Sequence, residues 1–364
     1  MEFRASELHR SKRIDLKIRR HSSDYNFIGD TETGVTFRWG KTFEENPAYA
    51  PWPELADISI SNHCTKGCDF CYRDSTANQS FITLKDYERI LRELIHPKWG
   101  SVFQVALGGG EPFEHPHLRE IIDLTVTHKI VPNLTTNGLH INRDWIDTLR
   151  EKVGAIAVST DNVNEIDYDK IALLTNCGVR TNIHYLLNKC NIAQASQILN
   201  GSFDERLSGL NSIIFLTHKP SGRAKAKNTL QYNDDLRAFI QLIDNRKTSF
   251  RIGFDACFVP VLLHLTQTNT DYVDSCECGF FSVYIDERMN VKPCSFAKDG
   301  ISEFNLHEIT LREIWEEKYQ EYRCVMKNDC KRDCKNKRHC RGACIYYHEI
   351  NYCHSRNREE AGNA

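Results

Sequence analysis

The sequence predicts an α/β fold: a parallel sheet curled into an incomplete, TIM-like (β/α)6 barrel, followed by a C-terminal segment held by metal-ligating cysteines. Three observations predict it. From residue 55 to about 220, short β-branched runs alternate with amphipathic helical patterns. Six such units are too few to close an eight-stranded barrel, which leaves one side open. Beyond about residue 255 the periodicity fails, while cysteines and aromatics accumulate.

The elements follow in order. Residues 1–50 form an N-terminal extension in which "IDLKIRR" alternates like a strand and "TGVTFRWG" reads as half a hairpin. Residues 51–255 form the barrel, with strands expected at 57–61, 102–107, 132–136, 155–159, 180–187 and 212–217. After the first strand, Thr83 is placed to N-cap a helix whose apolar stripe is Tyr87, Ile90, Leu91, Leu94 and Ile95. The segments "HLREIIDLTVTH", "DWIDTLREKV" and "DYDKIALLTNCG" carry similar stripes after later strands. Residues 256–364 are the cysteine-rich segment, and "CVMKNDCKRDCKNKRHCRGACIYYHEINYC" has too few aliphatics to build a core of its own.

Composition narrows the function classes. The net charge is −2 over 364 residues, so no global field draws the chain to nucleic acid or an anionic membrane. No long apolar run or export signal is present, which predicts a cytoplasmic protein. In a reducing compartment the 15 cysteines read as metal ligands rather than disulfides. Three lie at 64–71, two at 177 and 190, and ten between 257 and 353.

The first group, Cys64-x3-Cys68-x2-Cys71, follows the first strand and offers three thiolates. Three thiolates hold three corners of a four-iron cluster and leave one iron free. A zinc site completed by His63 or a distant residue is the other reading. After the second strand comes "LGGGEPFEHP", in which glycines admit close backbone approach to a ligand and Glu111 is an acceptor for an ammonium.

These motifs resemble the radical S-adenosylmethionine (SAM) superfamily. The resemblance implies a [4Fe–4S] cluster on Cys64, Cys68 and Cys71 with SAM chelated to its free iron. Reductive cleavage then yields methionine and a 5′-deoxyadenosyl radical that takes hydrogen from a substrate. It also implies that Gly109, Gly110, Glu111 and Pro112 contact the SAM methionine group and that Phe70 packs near adenine. Asn137 is placed at the same rim, Ser159 and Asp161 near the ribose, and Asn188 at the end of the fifth strand. "THKPSGRA" after the sixth strand resembles an element of relatives with extra clusters.

The C-terminal cysteines resemble the SPASM extension, which binds two auxiliary [4Fe–4S] clusters. Position by position, Cys330, Cys334, Cys340 and Cys353 belong to the distal cluster, and Cys278, Cys294 and Cys344 to the nearer one. Cys276 is the choice for its fourth ligand, with Cys257 or an open iron as alternatives. Two zinc sites would staple the segment equally. Two departures stand out: Met289 replaces the family's hairpin glycine, and Cys330-x3-Cys334 replaces a CxxC.

The resemblance implies a ribosomally synthesised precursor peptide as substrate, with crosslinking, backbone excision or epimerisation as outcomes. Cofactor biosynthesis and protein side-chain oxidation are the enzymatic alternatives. Ser295 stands where side-chain-oxidising relatives carry a basic Asp, which argues against that activity. Epimerisation needs a hydrogen-donating thiol, for which Cys177, Cys190, Cys257 and Cys324 are candidates. A reductant such as flavodoxin or ferredoxin is implied. The short N-terminal extension leaves leader binding to a separate protein, although "HRSKRIDLKIRR" is a candidate docking strand. A zinc-stapled nucleic-acid-binding protein would share the cysteine density but require a basic face throughout. An electron-transfer iron–sulfur protein would ligate every cluster fully.

Overall fold

The computed structural model describes residues 16–18, 22–31, 33–270, 273–298, 300–329, 334, 336–341 and 344–352. The chain begins with a small antiparallel sheet of β1 (Leu16–Ile18), β2 (Asn26–Asp30) and β3 (Thr36–Trp39), in that order. Its inner face is anchored where the barrel strands begin. Phe27 meets Phe103 edge-on at 5.7 Å, and the Tyr25 hydroxyl donates to Glu54 at 2.5 Å. Arg38 spans three acids: Glu54 and Glu277, each at 2.8 Å, and Asp274 at 2.9 Å. The extension therefore sits at the end of the barrel opposite the loop of Cys64.

Strand β4 (Leu55–Ser61) opens the main sheet, α1 (Leu84–Glu93) follows, and a short ladder of β5 (Ile95–His96) and β6 (Gly100–Ser101) leads back to the sheet. Thr83 caps α1, its hydroxyl accepting from the Asp86 N–H at 3.0 Å. Tyr87, Ile90, Leu91 and Leu94 are fully buried. Ile95 corrects the expected stripe: it has left the helix for β5 and is 43% exposed.

The parallel sheet continues through β7 (Gln104–Gly109), β8 (Val131–Thr136), β9 (Ala155–Thr160), β10 (Thr181–Leu187) and β11 (Ser212–Thr217). These match the expected strands within about two residues. A seventh parallel strand, β12 (Arg251–Phe254), was not expected. It is only four residues long, and its Gly253 lies where a Cβ would come within 2.7 Å of Ile214. Helices α2 (Leu118–Thr127), α3 (Ile146–Lys152), α4 (Tyr168–Asn176), α5 (Ile192–Leu199) and α6 (Asp234–Asp244) connect the strands.

Alternation along the strands separates two environments. Ile58, Val105, Leu107, Leu134, Ile156, Ile183, Tyr185, Ile213 and Phe215 are buried in the common core. The intervening positions include Asp57, Gln104, Asn133, Ser159, Asn182 and His184, all only partly buried, so the barrel interior is polar.

The C-terminal segment adds α7 (Val259–Leu265) and a hairpin of β13 (Ser282–Ile285) and β14 (Asn290–Lys292), with β15 (Phe304–Asn305) beside it. β13 pairs in parallel with β4, so the hairpin extends the barrel sheet to ten strands. The two edge strands, β12 and β15, do not pair, and the barrel stays open. Helices α8 (Leu311–Glu313), α9 (Tyr319–Asp329) and α10 (Lys337–Cys340) follow. Burial contributes here more than the aliphatic count predicted, because tyrosines replace aliphatics: Tyr346, Tyr347, Ile350 and Tyr352 all join the common core. Trp315 donates its indole N–H to the Ala50 carbonyl at 3.1 Å and ties this end to the barrel's start. Among the described residues, no helix is long and apolar enough to cross a membrane.

Candidate active site

The loop leaving β4 carries Cys64, Cys68 and Cys71, all partly buried and none in a disulfide. Gly67 has φ +66°, a left-handed turn that lets the chain fold back between the first two thiols. Burial, reinforced by neighbouring thiols and carboxylates, pushes the Cys64 and Cys68 thiols up.

Two other loops fix this one. Gly110 packs on it so closely that a Cβ would lie 2.1 Å from the His63 carbonyl oxygen, and the Glu111 N–H donates to that same oxygen at 2.8 Å. Gly109 has φ +103°, and its Cβ would strike Ser59 and Ser61. Only glycine fits either place. Glu111 is 1% exposed, and its carboxylate accepts from the Phe113 N–H at 3.0 Å, the Thr136 hydroxyl at 2.6 Å and the Asn137 N–H at 2.7 Å. Burial raises its pKa despite these donors. Glu111 thus ties the glycine loop to the end of β8, leaving one lone-pair direction for a ligand. Asn137 reaches Cys64, its amide nitrogen 3.9 Å from Sγ.

The second clamp is the "PSGRA" loop after β11, whose role sequence reasoning missed. Gly222 (φ +59°) sits where a Cβ would come within 2.5 Å of the Cys71 and Tyr72 carbonyls. Arg223 donates from its backbone to the Cys71 carbonyl at 2.9 Å and from Nε to the Cys68 carbonyl at 3.0 Å. Its Nη1 reaches the Ser75 carbonyl at 2.8 Å and Asp74 at 2.9 Å. A Gly-Arg pair after the sixth strand was the signal, but its targets are backbone carbonyls, which leave no mark in sequence.

The remaining rim residues follow the strand ends. Phe70 is half-buried beside Cys71, and Ser159 is partly buried in β9. Asp161 lies close enough to Cys68 to raise its pKa, and burial raises that of Asp161 itself. Asn188 is 5% exposed and its side-chain oxygen accepts from the Cys190 N–H at 2.8 Å.

A second group of thiols lies at the open side. Cys278 hydrogen-bonds Cys276 and Cys294, and Cys257 hydrogen-bonds Cys344. Cys276 is near enough to Cys344 to feel its charge. Cys344 is pulled down to about 6, chiefly by the hydrogen bond from Cys257. Lys219, 5% exposed, lies among these thiols; it donates to Asp255 at 2.9 Å and rests on the Phe296 ring at 4.5 Å. Met289 has φ +69°, the conformation for which a glycine is usual, and is buried. Cys334 lies 3.5 Å from His264 Nε2, and Cys340 is buried. Cys330 and Cys353 lie outside the described residues. Cys177 packs behind the barrel against the core, and Cys190 and Cys324 are exposed. Among the described residues, no three His, Cys, Asp or Glu side chains form a site for a single metal ion.

Residues 58–204 match the radical SAM superfamily. No curated protein matches the chain. Among solved structures, Streptococcus suis SuiB bound to S-adenosylmethionine superposes with a TM-score of 0.63 at 18% identity, covering 81% of this chain and 74% of that one. SuiB bound to precursor peptide SuiA gives 0.65 at 19% identity, covering 82% and 73%. Native anSMEcpe with bound AdoMet and the Cp18Cys peptide gives 0.60 at 18%, covering 84% and 95%. At these identities the likeness is one of fold.

Proposed function

We propose that this chain, whose residues 58–204 match the radical SAM superfamily, is an enzyme that takes hydrogen from a ribosomally synthesised precursor peptide. The observation that carries the reading is the clamped loop itself. Cys64, Cys68 and Cys71 stand together at the C-terminal end of the first barrel strand, held by glycines that tolerate no Cβ and by Arg223. Three thiolates on one loop, with no fourth cysteine on that loop, suit a four-iron cluster with an open corner. Such a cluster, when bound, would supply the electron that cleaves SAM to methionine and a 5′-deoxyadenosyl radical.

The chain's own residues position and exclude. Backbone at Gly109 and Gly110, oriented by Glu111 and followed by Pro112, would hold the methionine end of SAM. Ser159 and Asp161 would lie toward the ribose and Phe70 toward adenine, with Asn188 at the end of the fifth strand on the same rim. Asn137 hydrogen-bonds the Cys64 sulfur. At the open side, Cys278, Cys294 and Cys344 with Cys276 would hold the nearer auxiliary cluster, and Cys257 is the competing fourth ligand. Cys330, Cys334, Cys340 and Cys353 would hold the distal one. Lys219 offsets thiolate charge at the nearer site.

The peptide reading is supported by two fold neighbours whose structures contain bound peptides. Crosslinking, backbone excision or epimerisation are the outcomes proposed, in the cytoplasm, with a flavodoxin or ferredoxin as reductant and a separate leader-binding protein. Deuterated candidate precursor peptides test the substrate class. Deuterium appearing in 5′-deoxyadenosine supports the reading; unlabelled 5′-deoxyadenosine with an unmodified peptide removes the peptide and leaves the radical enzyme.

A further inference from the structure

Asp57 sits midway along β4, the strand that delivers Cys64. Its neighbours Ala56, Ile58 and Ile60 are fully buried on the helix-facing side. Alternation turns Asp57 the other way, into the barrel interior. In register it lies opposite Ala106 on β7, whose methyl leaves room, and opposite Tyr284 on β13. The interior beside it is bounded by Tyr72, whose ring packs against Phe296 at 4.6 Å.

Four other acids of the barrel strands and hairpin are engaged. Glu54 holds Arg38 and Tyr25, Asp255 holds Lys219 and Thr217, and Glu287 holds Arg73 and Ser59. Asp286 accepts from the Arg288 and Asn290 N–H groups in the hairpin turn. Asp57 differs: among the described residues, its carboxylate accepts no hydrogen bond and forms no ion pair, and Arg73 alone supplies a favourable charge. Arg73 is not free to turn toward it. Its guanidinium is committed to Asn62 at 3.2 Å, Glu287 at 2.5 Å and the Tyr284 hydroxyl. The Arg73–Glu287 pair is neutral, so Asp57 adds an uncompensated negative charge beside two phenol rings. The Tyr284 ring already carries the Arg73 guanidinium, 5.9 Å from its centroid, so what Asp57 adds is an unpaired charge that a second cation would neutralise.

We propose that Asp57 docks a cationic side chain of the substrate, the ammonium of a lysine or the guanidinium of an arginine, inside the barrel beneath the cysteine loop. The proposal rests on the peptide reading above. Burial raises Asp57 to about 6, an energetic burden that an arriving cation relieves. The groups that face it are Tyr72 and Arg73 from the loop, Tyr284 from β13 and neutral Ala106 from β7, with Asp286 and Glu287 of the turn coupled to Arg73 rather than to Asp57.

Saturation-transfer NMR on the iron-reconstituted protein, with n-butylammonium and neutral n-butanol as probes, tests it. The expected result at pH 8 is about tenfold or stronger preference for the ammonium. The preference shrinks below pH 6 and disappears in Asp57→Asn. Equal affinity for the two probes in the wild type overturns the proposal whether or not the variant folds. So does an ammonium preference that survives in Asp57→Asn. Release of 5′-deoxyadenosine by the wild type is measured separately; its absence would sink the radical reading while leaving the probe result to decide the role of Asp57.

Discussion

Replacing Asp57 by Asn removes a charge that the fold disfavours, and the gain in stability can be worked out with its sign. The folded-state pKa of Asp57 is raised from 3.8 to about 6 by burial, against the opposing charge of Arg73. Between those values the folded chain holds a proton that the unfolded chain has lost, so this carboxylate destabilises the fold progressively as pH rises through the window. At 1.36 kcal/mol per pH unit the full penalty is about 3 kcal/mol at pH 8, against about 0.5 kcal/mol at pH 4. Asn carries no charge but leaves its amide without partners, a pH-independent cost of about 1 kcal/mol. Asp57→Asn is therefore predicted to be more stable than the wild type by about 2 kcal/mol at pH 8 and no more stable near pH 4.5. Anaerobic urea melts of both reconstituted proteins at the two pH values read the difference. A variant destabilised at pH 8, or a difference independent of pH, would refute the reasoning, because either result means that the carboxylate has a partner.

Other expectations follow from the clamped loop and the thiol groups. Gly110→Ala drives a methyl into the His63 carbonyl, at a cost of about 3 kcal/mol, and lowers both the thermal midpoint and the iron retained at the first site. Arg223→Ala frees the Cys68 and Ser75 carbonyls, at a cost of about 2 kcal/mol. Iron analysis of that variant is expected to show loss at the Cys64 loop with auxiliary iron retained; equal loss from all sites would argue that the arginine supports the whole fold instead. Cys276→Ser is expected to remove iron from the nearer auxiliary site while Cys257→Ser retains it, and Mössbauer spectra showing the reverse would transfer the fourth ligand to Cys257.

Local chemistry was legible in the sequence. Thr83 caps the helix it was expected to cap, and the strand carrying "LADISIS" ends where the cysteine loop begins, because both depend on spacings of a few residues. Longer-range consequences were not. The parallel pairing of β13 with β4 joins residues more than two hundred positions apart, which no period records. β12 was hidden because a four-residue run containing glycine is too short to show alternation. Asp57 looked like an ordinary polar position in an alternating strand, and only the full set of hydrogen bonds distinguishes it from Glu54 or Asp255. Met289 was visible as a departure from the glycine that the resemblance implied, and its φ of +69° is one that favours glycine.

The central claim is that the loop of Cys64, Cys68 and Cys71 forms a radical site. Its most direct test is anaerobic reconstitution with iron and sulfide, followed by metal counting and an assay for 5′-deoxyadenosine with SAM and a strong reductant. The wild type is predicted to bind about twelve irons and release 5′-deoxyadenosine. The variant with all three cysteines changed to alanine is predicted to bind about eight and release none. Zinc in place of iron, or deoxyadenosine still formed by the triple variant, would contradict the account.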